Sequence, residues 1–125
     1  RMRAADALEK ATRRLPELIA NDGVRLLAML EQNQAKEVRW HLLQMAPRVH
    51  WAASEQESLL AAIEQAFADT SAIVQCSALQ ALAELSVQAP LFAAAFQKHV
   101  VLAANSPLAS LRARARKLAD SSKWP

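Results

Sequence analysis

Four groups of residues in this 125-residue chain have types that chemistry can use. The first is Cys76, the one cysteine. A cysteine nucleophile needs a base beside it and an electropositive, open setting. His99 is the one plausible base, and no spacing in the sequence brings it to Cys76. The second group is Trp40, His41, His50 and Trp51, an aromatic-histidine set of the kind that stacks a base or holds a ligand. His41 and His50 stand nine apart (50 − 41), not the i, i+4 spacing of two helical metal ligands. The packing reading is favoured: Trp40 in the core, Trp51 under the loop before Ser54. The third group is basic: Arg112, Arg114, Arg116, Lys117 and Lys123. It has the charge to contact phosphates. At about 100° per helical residue it spreads around its helix instead of forming one stripe. The fourth group is a set of polar positions that emerges only when the helices are aligned. With a single glycine there is no Gly-rich phosphate loop, and no G-x-S-x-G is present. No catalytic residue, metal or cofactor is expected, and the chain is read as a non-enzyme.

The elements that must position these residues are helical. Ala, Leu, Gln, Glu and Arg dominate, all strong helix formers. There is no Tyr and β-branched residues are scarce, so the fold class is all-α. The length suits one domain, residues 1–125, burying about two thirds of the surface an unfolded chain exposes. One cysteine excludes an internal disulfide and a multi-cysteine zinc site, and is consistent with a cytoplasmic setting. No apolar run approaches membrane-spanning length, so no membrane partner is expected. The opening segment has no apolar signal region, and Arg1 ahead of Met2 reads as a cut from a longer chain. Charge is uneven. Residues 1–50 hold nine Lys/Arg and six Asp/Glu; residues 51–90 hold five acids and no Lys or Arg; residues 91–125 hold six bases and one acid. A nucleic-acid binder shows a continuous basic stripe instead.

Periodicity and punctuation place the helices. Residues 2–15 carry an apolar face of Ala4, Ala5, Leu8, Ala11 and Leu15, with Asp6, Glu9, Lys10, Arg13 and Arg14 on the wet side. Pro16 suits the first turn of a short segment. Asp22 is a cap for a helix to about residue 32, with Val24, Leu26, Leu27 and Leu30 buried. A helix over 36–50 meets Pro47, which predicts a kink or an early end. Ser54 and Glu57 read as a capping box for the next helix. Residues 69–86 read as a cap followed by four turns of amphipathic helix on Val74, Ala78, Leu82 and Leu85. Pro90 starts another, with Leu91, Phe92, Ala95, Phe96, Val100 and Leu102 apolar. Ser106-Pro107 reads as cap and first turn of the last helix, over about 107–121. Trp124 folds back, or the tail frays.

Three stretches repeat. EVRWHLLQMA from Glu37, IVQCSALQAL from Ile73 and SLRARARKLA from Ser110 align at offsets of 36 (74 − 38) and 37 (111 − 74). Val38, Val74 and Leu111 correspond, as do Trp40, Cys76 and Ala113, and Leu42, Ala78 and Ala115. Polar Asn33, Asp69 and Ser106 precede the first set by five positions each. A helix pair per period of this length marks an α-solenoid. With Asn33…Val38-Arg39, Asp69…Val74-Gln75 and Ser106…Leu111-Arg112, the chain resembles the HEAT repeat family. That family carries an Asp in the turn and a Val-Arg pair at the start of the second helix. The resemblance implies a superhelix of about seven helices: a half repeat over 1–15, then helix pairs at about 16–51, 52–88 and 89–123. Arg116 stands where Leu43 and Leu79 stand, as in an exposed terminal cap.

In such solenoids the second helices line a concave surface. By the offsets, its outward rows are His41, Ser77 and Arg114; Gln44, Gln80 and Lys117; then Arg48, Glu84 and Ser121. Asp6, Glu9 and Arg13 join by a looser alignment. The expected function is binding of a protein or peptide along this ladder, as a scaffold module. The alternative is a nucleic-acid-associated protein, since some HEAT-like proteins are glycosylases acting on alkylated DNA. Their sites have no matched set here. Self-association through the stacking ends is a further expectation.

Overall fold

Prolines and polar turns divide the chain. The computed structural model describes residues 2–32 and 35–120. Among the described residues there are seven α-helices and no strand. They are α1 (Met2–Arg14), α2 (Gly23–Glu31), α3 (Lys36–Met45), α4 (Ala53–Ala66), α5 (Ala72–Leu85), α6 (Pro90–Ala104) and α7 (Ala109–Ala119). Single 3-10 turns lie at Pro16–Leu18 and Ala46–Arg48. The expectations for Asn33, Ser121, Lys123 and Trp124 fall outside the described residues. No helix among them is long and apolar enough to cross a membrane.

Pro47 acts as expected: α3 stops at Met45 and continues as a 3-10 turn, because proline offers no N–H to the carbonyl one turn back. Two caps sit elsewhere than the sequence suggests. Glu55, not Glu57, closes the start of α4, its carboxylate accepting from the Ala52 N–H at 3.1 Å. Ser54 lies inside the helix. Helix α7 starts at Ala109, and Ser106 instead holds the turn before it, accepting from the Leu108 N–H. The N-cap positions fall on Ala52 and Leu108, neither of which has a side chain that can cap.

The helices pack in two rows. Helices α1, α3, α5 and α7 lie side by side in that order, and α2, α4 and α6 form the second row. Within the first row three positions per helix recur with the same spacing: Val38-Leu42-Met45, Val74-Ala78-Ala81 and Leu111-Ala115-Leu118, all buried. In α1 the matching set is Ala5-Glu9-Thr12, also buried. The face of α1 is therefore rotated from the one its apolar residues suggest. Ala4, Leu8, Ala11 and Leu15 are exposed and Glu9, placed on the wet side by pattern, is only 2% exposed. Val24 (72% exposed) and Leu102 likewise face outward.

The turns before α5 and α7 are built alike. Asp69 Oδ1 accepts from the Ser71 N–H as Ser106 Oγ accepts from the Leu108 N–H. Gln75 Nε2 donates to the Asp69 carbonyl, and Arg112 Nη1 to the Ser106 carbonyl, each bridging six residues back. Asp69 also receives Arg39 Nη1 from α3 at 2.9 Å, tying one helix pair to the next. Gly23 opens α2 at a close approach: a Cβ there would lie 3.2 Å from the Trp51 ring and from Glu55 Oε1.

Candidate functional site

A groove of about 340 Å³ runs across the first row of helices. Glu9 and Arg13 come from α1, Leu43 and Gln44 from α3, and Arg48 from the turn after it. Helix α5 supplies Ile73, Cys76, Ser77, Gln80, Ala81 and Glu84, and α7 supplies Arg114. Eight ladder residues from the sequence meet here: Glu9, Arg13, Gln44, Arg48, Ser77, Gln80, Glu84 and Arg114. Asp6, His41 and Lys117 do not line it. His41 is buried at 4% exposure, stacked on Trp40 with ring centroids 3.9 Å apart. Its Nε2 lies 3.8 Å from Asp6 of α1, so the neighbouring helix covers it. Lys117 is exposed on α7 away from the groove. Ser77, expected to point outward, is buried and lines the groove.

The polar end of the groove rests on Glu9. Its carboxylate is held from two sides. Arg13 donates to it through Nε and Nη2 from one turn along α1. Arg48 donates through Nη2 at 2.7 Å from the end of the 3-10 turn. Arg48 Nη1 also donates to the Glu9 carbonyl at 2.7 Å and the Thr12 hydroxyl at 2.8 Å. Burial raises the Glu9 pKa, but the bonds and charges of Arg13 and Arg48 outweigh it and leave the carboxyl below its ordinary value. Arg13 in turn is raised by its bond to Glu9.

The other end is a relay. Arg114 Nη1 donates to Gln80 Oε1 at 2.8 Å, and Gln80 Nε2 donates to Glu84 at 2.9 Å. Between the ends, Gln44 Oε1 is buried with no hydrogen-bond partner. Cys76, placed by the repeat at a packing position, is half-buried and forms part of the wall. His99 is not its partner: it stacks flat on Phe67, centroids 4.3 Å apart, with Nε2 2.7 Å from Glu64. That separates the two elements a cysteine-histidine mechanism would need together. Trp51 is buried, its indole N–H donating to the Ala46 carbonyl at 2.8 Å, and Trp40 is half-buried against the core. No group of three or more His, Cys, Asp or Glu among the described residues could hold a metal ion.

The basic residues of α7 are divided in role. Arg112 holds the Ser106 carbonyl, Arg114 enters the groove, and Arg116 and Lys117 are exposed. Arg116 borders a cleft of about 330 Å³ between α6 and α7, with Val100, Val101, Ala104, Ala115 and Ala119. Sequence reasoning set Glu9 on the wet face, although it also put Glu9 and Arg13 into the ladder by alignment. The available signal was the Ala5-Glu9-Thr12 spacing matching the buried triplets of the later helices.

No protein-family model, curated protein or solved structure matches this chain.

Proposed function

We propose that the chain is a small HEAT-like α-solenoid that binds a protein or peptide partner along the groove over α1, α3, α5 and α7, without catalysing a reaction. The observation carrying this reading is that four helices, and the turn after α3, bring eight ladder side chains to one groove. Stacked helix pairs offer such a strip, and each pair adds one rung to it. The equivalent turns before α5 and α7, and the Arg39–Asp69 bond between pairs, support the repeat interpretation. The single free thiol supports a cytoplasmic setting.

The test is a selection from a displayed peptide library on the immobilised protein, with counter-selection on a variant carrying Gln44→Ala, Gln80→Ala and Arg114→Ala. Peptides that bind the parent and lose at least about tenfold in affinity on the variant are the expected result. A selection that yields no binders, or only binders indifferent to the three substitutions, would overturn the reading.

A further inference from the structure

Helix α1 carries an apolar face that no other part of the described chain covers. Ala4, Leu8, Ala11 and Leu15 recur at helical spacing, and all four are exposed. Leu18, in the 3-10 turn that follows, is exposed too. Arg13 marks the groove side of α1. Counted from it at about 100° per residue, the four lie about 160–220° round, on the opposite side. In α5 the same side, counted from Gln80 in the groove, holds Ala78 and Leu82, both fully buried. The difference is a neighbour. Helices α3, α5 and α7 are each backed by a second-row helix, α2, α4 and α6 in turn. Helix α1 packs on α3 and on the 3-10 turn at Pro16–Leu18, and no second-row helix lies along it among the described residues.

The margins of this face define its occupant. One margin turns into α3 through buried Ala5 and Thr12. The other is basic. Arg3 and Arg14 are exposed there, and neither has an ion-pair or hydrogen-bond partner among the described residues. Lys10, beside them, is already paired with Asp6. We propose that the face takes an amphipathic helix of a partner protein, laid along α1 as α4 lies along α5. Its apolar stripe meets Ala4, Leu8, Ala11 and Leu15, and its acidic residues meet Arg3 and Arg14. Ala4 and Ala11 alternate with the leucines, so the large side chains of an incoming helix can seat beside Leu8 and Leu15. A second copy of this chain fits worse. Two α1 helices packed antiparallel through this face would set Arg3 of one copy beside Arg14 of the other. Residues 91–125, at the far end of the array, hold six bases and one acid. A membrane surface also fits worse. Interfacial helices sink bulky Trp, Phe and Leu side chains, and half of this four-residue stripe is alanine. The surface is separate from the groove and does not depend on what the groove binds.

The test uses the full chain and three probes. Two are fluorescein-labelled synthetic helices: one with a leucine stripe flanked by glutamates, and its twin with lysine at every glutamate. The third is a phosphatidylserine vesicle. Peptide binding is read by anisotropy, and sedimentation of the chain alone reads self-association. The glutamate helix should bind saturably, at least about tenfold tighter than its twin. Leu8→Ser with Leu15→Ser should weaken it at least about tenfold and leave the melt unchanged, since both side chains are exposed. Arg3→Glu with Arg14→Glu should reverse the preference between the twins. Arg114→Gln, in the groove, should leave both affinities unchanged. Equal binding of the twins overturns the acidic partner. A loss on Arg114→Gln as large as on the leucine pair overturns the site. Vesicle binding that the leucine pair abolishes, with no peptide bound, overturns the choice of a helix. A dimer of the chain alone that the leucine pair dissolves overturns the choice of a foreign partner. If neither helix binds, the inference fails, and the library selection still decides separately whether the groove binds a partner.

Discussion

Replacing Arg48 by methionine is expected to lower the unfolding free energy by about 3 kcal/mol, the low end of the cost of breaking a buried ion pair. Methionine keeps much of the stem's bulk and removes the guanidinium. The Glu9 carboxylate, 2% exposed, is then left to Arg13, whose side chain is 62% exposed. Three hydrogen bonds disappear together, to the Glu9 carbonyl, the Glu9 carboxylate and the Thr12 hydroxyl. Glu9→Gln alone should cost less, because Arg48 keeps two of its three acceptors. Denaturant melts of the two single variants and the double variant check this. The double should be more stable than additivity predicts, because the second change removes a charge the first left unpaired. Additive values would mean the pair does not act as a unit.

The same contact sets a pH dependence. The folded-state pKa of Glu9 lies below its unfolded value. Its contribution is therefore fully present above the unfolded value, about 4.3, and is lost as pH falls through the folded one. The parent should lose stability on acidification more steeply than Arg48→Met, and the gap between the two curves should narrow in acid without closing, since the Arg48 bonds to the Glu9 carbonyl and the Thr12 hydroxyl do not depend on the carboxylate.

Leu79→Arg is expected to prevent stable folding, with a loss above about 4 kcal/mol, the range reserved for buried charges and large core defects. Leu79 is fully buried in α5, between α3 and α7 in the first row. At the offset of 37 the equivalent residue in α7 is already Arg116 (116 − 79), and it is exposed because no further helix follows α7 among the described residues. The reciprocal change, Arg116→Leu, should leave the melt within about 0.5 kcal/mol, as surface substitutions do. It should also increase self-association in sedimentation, since it joins the apolar lining of the α6–α7 cleft. Equal effects of the two substitutions would show that the register between α5 and α7 is wrong.

The helices were legible because apolar residues at helical spacing are a direct record of burial. Pro47, Pro90 and Pro16 marked boundaries through a missing N–H, which acts locally. What was hidden depended on neighbours distant in sequence. Nothing near Glu9 shows that its second cation arrives 39 residues later, so an acid among Asp6, Lys10 and Arg13 reads as solvated. His41 and Ser77 were placed in the outward row, yet both are buried. Helices laid side by side cover each other's flanks, which narrows the exposed strip below what one helical wheel suggests. Gln44, Gln80 and Glu84 lie further round, and alignment found them. The caps were misplaced because Ser54 and Ser106 satisfy the compositional rule, whereas the backbone puts the apolar Ala52 and Leu108 at the N-cap positions.

Helix α5 packs against α3, α4, α6 and α7 and against the 3-10 turn at Ala46–Arg48. Helices at the margins touch fewer. In an array whose contacts are between neighbours, opening propagates inward from the ends. Amide protons midway along α5 should therefore exchange with solvent only on global unfolding, while those of α1 and α7 escape through smaller openings. The strip that α5 floors would remain formed while its margins breathe, so α1 and α7 can part around a bound chain without loss of the centre.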